Sequence, residues 1–225
     1  MITFEQIKNN KKINSLIFKG NKYLGVMGYT EHGYAHAQKV SDNAGNILKI
    51  LEYSEREEEL AKIAGYIHDI GNVINRNDHA QSGALMAFRI LDNLGMNIDE
   101  ITDIVSAVGN HDEGTSSVIS PISAALILAD KSDVRRSRVR NAIDSNSTIT
   151  PNFLLDIHDR VNYAVTKSDL FVKSGLITLK LEIDPDISPI LDYFEIFLSR
   201  MMLCRRASDF LNCKFELIIN GNKLL

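Results

Sequence analysis

The sequence holds only two cysteines, Cys204 and Cys213, and their spacing matches no zinc pattern. A thiolate zinc site is therefore not expected, and both residues read as buried thiols of a cytoplasmic protein. No apolar run approaches the ~20 residues that a helix needs to cross a bilayer. The N-terminal MITFEQIKNNKK has charge but no apolar stretch, so no signal peptide is expected. Neither sign of charge is in large excess. A net charge of -4 gives no drive toward polymeric nucleic acid or an anionic membrane. Internal repeats and low-complexity segments are also missing. What is there is an ordinary globular composition, 44% hydrophobic and 24% charged. Its 225 residues can bury one large domain, or one domain and a smaller second.

Hydrophobic periodicity organises the chain. A short helix is expected near Thr3 to Asn9, then a loop through Gly20, Gly25 and Gly28. From His32 to Tyr53 the residues His36, Val40, Ala44, Ile47 and Leu51 recur at helical spacing. Glu55 to Ile67 is a second helix, acidic in its first turn, and Gly71 breaks it. Asp78 caps a third helix with His79, Gly83, Met86, Ala87, Ile90 and Leu94 on one face, and Gly95 ends it. A fourth runs from Ile98 to Asn110. Ser120-Pro121 opens a fifth, with Ile122, Leu126, Asp130 and Val134 in line. The Ser/Thr/Asn-rich segment 141–151 reads as a loop. A short helical stretch near Phe153 is followed by VNYAVTKSDLFV and LITLKLEID, two strands around Lys173-Ser174-Gly175. Ile187 to Leu211 is a long amphipathic helix whose face Ile190, Leu191, Phe194, Phe197, Leu198 and Met201 reads as core, and KFELIIN is a third strand. The expected fold is mainly α: a helical bundle over residues 1–150, then a small α+β module over 151–225.

The stretch AGYIHDIGNV, residues 64–73, points to chemistry. His68 and Asp69 sit where the apolar side Ile63, Ile67, Ile70 turns into a glycine break, and a buried carboxylate is expensive unless paired. His36, His79, His111 and Asp130 each fall on, or at the end of, the apolar face of a different helix. One such histidine is ordinarily a satisfied core group. Five helices each directing a His or Asp inward would leave polar groups costing several kcal/mol, unless a metal satisfies them together. Imidazole and carboxylate without thiolate suit Mn, Fe, Co, Ni or Zn. Four histidines and two aspartates are too many for one ion with an open position. They suit two ions ~3.5–4 Å apart with one carboxylate bridging.

In chain order, His36, then His68-Asp69, then Asp130 resembles the H…HD…D signature of the HD superfamily of metal-dependent phosphohydrolases. The added His79 and His111 resemble its two-metal branch, and the resemblance covers about residues 30 to 140. HDIG and HAQSGA look like the HD-GYP cyclic di-nucleotide phosphodiesterases, and LADKSD like that group's final Asp motif. The chain departs from them with Asn72 in place of Lys, His111-Asp112 in place of paired histidines, and no GYP segment. The wider two-metal group also includes diadenosine-polyphosphate hydrolases and a branch of di-iron oxygenases. The resemblance implies an HD-domain bundle in which His36, His68, Asp69 and Asp130 hold one metal. Asp69 as bridge, His79 and His111 would hold the second, with a hydroxide between the ions as nucleophile. Two cations lower the pKa of bound water and clamp the phosphoryl oxygens for in-line attack.

His32 lies four residues before His36, one helical turn earlier on the same side. The mammalian-type cyclic-nucleotide phosphodiesterases resemble this stretch, which implies that His32 protonates the leaving oxygen as a general acid. Lys131, Arg135 and Arg138, spaced i, i+4, i+7, extend the ligand helix with positive charge and offer a phosphate grip. Asn72, Asp112 and Glu113 are candidates for substrate contact or ligand support; His158 stands outside the signature and reads as structural.

The sequence thus leads to a cytoplasmic phosphohydrolase, a phosphomonoesterase or phosphodiesterase, with two divalent transition-metal ions and Asp69 and His32 as catalytic residues. Its expected partner is a nucleotide or related small phosphorylated metabolite, with no membrane and no polymeric nucleic acid; a homodimer is open. Two other readings stand: an HD-fold di-iron oxygenase, against which Lys131 and Arg135 tilt, and a non-catalytic metal- or nucleotide-binding sensor, which Asn72 keeps open.

Overall fold

The computed structural model describes residues 1–114, 116–143, 149–151 and 157–224. Helix α1 (Phe4–Lys8) opens on a capping box of Thr3 and Gln6. Helix α2 (Lys11–Val26) follows and buries Ile13, Ile17, Gly20 and Leu24 along one face. The loop expected through Gly20 and Gly25 is therefore helix. Gly20 marks a close approach instead: a Cβ there would lie 3.2 Å from the backbone nitrogen of Val73.

The bundle proper contains α3 (Tyr34–Ile50), α4 (Glu55–Ile67), α5 (His79–Asn93), α6 (Ile98–Gly109) and α7 (Pro121–Lys131). Helix α3 packs on α4 and α7, α4 on α6 and α7, and α5 on α6. The start of α4 is fixed by a capping box of Ser54 and Glu57. Asp78 occupies the cap position of α5, but it is left-handed (φ 56°) and its side chain makes no capping bond. Helix α3 begins after Gly33, so His32 precedes the helix rather than sitting one turn inside it. Helix α7 ends at Lys131, and Arg136–Arg138 form a separate 3₁₀ turn. Val134, Arg135 and Arg138 consequently do not extend the ligand helix.

Segment 141–151 contains an antiparallel pair, β1 (Asn141–Ile143) and β2 (Ile149–Pro151), rather than loop alone. The helical stretch expected near Phe153 lies outside the described residues. Helix α8 (Ile157–Ala164) takes in the first residues of the expected strand, because Val161 and Ala164, three apart, both turn into the core. A four-stranded sheet follows in the order β3 (Val165–Lys173), β4 (Leu176–Ile183), β5 (Lys214–Ile219), β6 (Asn222–Lys223). Strands β3 and β4 form the expected hairpin, turned at Gly175 (φ 75°). Strand β5 pairs parallel to β4, with α9 (Ile190–Phe210) as the crossover.

Helix α9 buries Tyr193, Phe197, Met201, Cys204 and Ser208 and packs on α7 as well as on β4 and β5. Leu191 and Leu198, expected in that core, are out of step with the buried series and exposed. Both cysteines are free and buried. One continuous cluster of buried residues runs from Ile7 to Ile219. The fold is mainly α with a small α+β part, and among the described residues no helix is long and apolar enough to cross a membrane.

Candidate metal centre

Two glycine contacts bring the polar residues together. A Cβ on Gly65 of α4 would lie 2.8 Å from the Cα of Ser41 on α3, so only glycine lets these helices meet there. That approach sets His36 against His68. A Cβ on Gly71 would collide with the carbonyl oxygen of His79 and lie 2.6 Å from the nitrogen of Gly83. The 3₁₀ turn Ile70–Val73 thus rests directly on the first turn of α5, which sets Asp69 beside His79. Glycines in HDIG and HAQSGA are fitting pieces as much as breaks.

Asp69 stands between two pairs of imidazoles. Its Oδ2 lies 3.3 Å from His68 Nε2 and 3.7 Å from His36 Nε2. Its Oδ1 lies 3.3 Å from His79 Nε2 and 3.9 Å from His111 Nε2. Within the pairs, Nε2 atoms are 3.3 Å apart (His36 and His68) and 3.2 Å apart (His79 and His111). Asp130 Oδ1 completes the first group, 3.3 Å from His36 and 3.7 Å from His68. All four histidines are buried.

The tautomers follow from the outer partners. His68 Nδ1 donates to Gly65 O (2.8 Å), His79 Nδ1 to Arg76 O (2.9 Å), and His111 Nδ1 to Val108 O (2.6 Å). His36 Nδ1 donates to Asp133 Oδ2 at 2.8 Å. Each partner is an acceptor, so each Nδ1 carries the proton and each Nε2 turns a lone pair inward. Four imidazole lone pairs then face carboxylate oxygens, and Asp69 Oδ2 is buried without a hydrogen-bond partner. An inward-facing set of acceptors is the arrangement a cation satisfies. Ligands about 2.1 Å from one ion sit roughly 3.0–3.4 Å from each other, close to most of the separations here. Two triads, His36–His68–Asp130 and His68–Asp69–His111, bring their ligand atoms within 4.8 Å. The residues therefore fit divalent metal.

Charge distribution agrees. Burial opposes a charge on His68, but Asp69 and Asp130 override it and push the imidazole up to about 10, so a cation bound here would take the place of a proton on its Nε2 and free the lone pair. Burial would raise both carboxyls, yet His68 and His79 hold Asp69 well below the usual range, and Lys131, His36 and His68 do the same for Asp130. In the second pair, burial, His68 and Lys131 hold His111 well below its usual value, hence neutral. The field between the carboxylates draws positive charge, which a metal ion would supply.

A cavity of about 170 Å³ opens over this cluster. Asp69, His79, His111 and Asp130 line it, with His36 and His68 behind them. His32 lines it too; its Nδ1 is bound to Thr30 O (2.8 Å), and burial with Arg138 holds its pKa well below 6.5. Lys131 and Arg138 line the cavity. Arg135 is turned to Asp133 (2.8 Å) and Ser137 (2.5 Å) instead. Asn72 lies under the carboxylate and donates to Asp69 Oδ1 at 2.8 Å. Glu113 pairs with Lys131 Nζ (3.5 Å). His158, read as structural, lines the cavity, as do Asp159 and Asn162 of α8.

Three contributions had no place in the sequence reading. Asp133 is fully buried and orients His36; its signal was the second Asp of LADKSD. Arg76 lies 3.4 Å from His79 Nε2 and lines the cavity. Arg200 reaches the cavity from α9, and nothing in its local text marks it.

Residues 33–142 match the family model for the HD domain. The chain is 29% identical to the uncharacterized protein MJ1020 of Methanocaldococcus jannaschii, over 61% of this chain and 61% of that protein, less than two thirds of its length. It is also similar to the crystal structure of a predicted HD superfamily hydrolase from an uncultured Thermotogales bacterium. The match has 24% identity and a TM-score of 0.43, and covers 56% of this chain and 68% of that one.

Proposed function

We propose that the chain is a two-metal phosphohydrolase acting on a small phosphorylated metabolite or the phosphate end of a nucleotide, a reading supported by the HD-domain match over residues 33–142. The observation that carries this reading is Asp69, whose two oxygens address two separate imidazole pairs. In this reading His36, His68, Asp69 and Asp130 hold one ion, and Asp69, His79 and His111 the other. Bound cations would supply Lewis acidity, activating water and neutralising phosphoryl charge.

The chain's own residues do the rest. Arg76, Lys131 and Arg138 line the cavity and receive the phosphoryl oxygens. Lys131 stays cationic although buried, because Asp130 and Glu113 raise its pKa against the effect of burial. His32 faces the same cavity and would deliver a proton to the leaving oxygen; burial first and Arg138 second hold its pKa low, so this role needs the charge of a bound phosphate to favour the imidazolium. The cavity volume, about 170 Å³, is small beside the ~300–1,000 Å³ of drug-sized sites, which favours a compact phosphorylated group. The metal ligands fall in the helical part, 1–150, and the α+β part, 151–225, walls the cavity.

The test is a screen of protein loaded with Mn, Fe, Co, Ni or Zn against phosphomonoesters, cyclic nucleotides and dinucleoside polyphosphates. Chelator-sensitive phosphate release is expected. Oxygen consumption by iron-loaded protein, without phosphate release, would transfer the chain to the oxygenase reading.

A further inference from the structure

Arg200 is the cavity-lining cation that residues 33–142 do not contribute. It sits on α9, with its side chain 23% exposed. Its Nε lies 2.5 Å from Glu113 Oε1, and its guanidinium carbon lies 4.5 Å from the centre of the Phe197 ring. Phe197 lines the cavity beside it.

Two cations on this wall share their carboxylate partners with the metal cluster. Glu113 faces two cations, Arg200 and Lys131. Lys131 leans mainly on Asp130, its Nζ 2.6 Å from Oδ2. Asp130 belongs to the metal cluster. Its negative charge is taken up by any cation held there. Lys131 and Arg200 then share Glu113 as the carboxylate both contact, while Asp159 of α8 also lines the cavity. A guanidinium stacked on an aromatic ring keeps its plane fixed, and its fork can meet two phosphoryl oxygens at once.

We propose that Arg200 is a specificity-determining residue that binds oxygens of the phosphoryl group over the metal cluster, so that α9, outside the HD domain, selects the substrate. This rests on the phosphohydrolase reading of the same site. Glu113 and Phe197 hold the guanidinium at the cavity wall, beside a lysine that leans on a metal-cluster carboxylate.

The experiment titrates inorganic phosphate into manganese-loaded protein by calorimetry, with metal content and thermal melting measured alongside. Arg200→Ala should keep wild-type metal content and bind phosphate about ten-fold or more weakly, the loss expected for hydrogen bonds to a charged group. Arg200→Lys, which keeps the charge without the fork, should fall between them. With p-nitrophenyl phosphate, KM should rise more than kcat falls. Should Arg200→Ala fail to fold, Arg200→Gln takes its place with the same expected loss. A folded, metal-loaded variant that binds phosphate as the wild type does overturns this inference and leaves the phosphohydrolase reading standing. Wild-type protein that binds neither manganese nor phosphate overturns both.

Discussion

His36 and His68 stand on one side of Asp69, His79 and His111 on the other, and His36 is held by other means than the remaining three, His68 leaning on the carbonyl of Gly65. His36 leans on a buried carboxylate, Asp133, which is itself held by Lys39 (3.3 Å), Arg135 (2.8 Å) and Arg138 (3.9 Å). His79 and His111 lean only on backbone carbonyls among the described residues. The first pair lies behind the cavity; the second lines it. A carboxylate raises the basicity of the imidazole it orients more than a carbonyl does. On the two-metal reading, the ion beside His36 would be held the more firmly, and the one beside His79 and His111 would face substrate and solvent.

The largest expected effect comes from the residue both halves share. Asp69→Ala should lose both metals by elemental analysis and abolish turnover; normal metal content would remove the bridge. His32 belongs to neither half. His32→Ala should leave metal content intact and lower turnover about 10²–10⁴-fold, the range for a general acid. The loss should shrink on p-nitrophenyl phosphate, whose leaving group needs little protonation; equal losses on both esters would end the acid role.

Asp133→Asn should weaken metal binding about 10–100-fold in the first half alone, the usual effect of an outer partner. Its mirror is His111→Ala, which should lose mainly the second ion. If either variant empties both halves equally, the contrast drawn above is false. The smallest effect concerns the cavity wall. Lys131 and Arg200 overcome the burial that would raise Glu113 and hold its carboxyl near about 2, below the usual 4.5. A lowered pKa means stability present above pH 4.5 and lost as pH falls toward 2. Glu113→Gln should therefore lower the melting temperature at neutral pH, with the difference from wild type closing across that window. A difference independent of pH would place its effect outside ionisation.

The sequence made the inward-facing ligands legible because helical spacing predicts which face a residue occupies. His36, His79 and Asp130 share faces with Val40, Gly83 and Leu126, and those faces are buried. Spacing says nothing about where a helix stops when no Gly or Pro marks it. Ser132 ends α7 without such a mark, so Arg135 was placed on a helix that does not reach it. Gly20 and Gly25 erred the other way, being read as breaks where one serves a close helix contact. Arg76 and Arg200 gain their position from tertiary packing alone. The same holds for β5, whose parallel pairing with β4 depends on the route of α9.

Helix α7 is buried on most sides: Ile122, Leu126, Ile127 and Leu128 are all buried, as are its alanines. Helices α3, α4 and α6 cover part of that surface and α9 covers the rest. A chain cut near residue 150 would keep every proposed metal ligand but leave one flank of α7 bare. An uncovered apolar strip of this kind favours self-association over solubility. Such a fragment should aggregate on expression, because α9 is what shields that flank of the helix carrying Asp130.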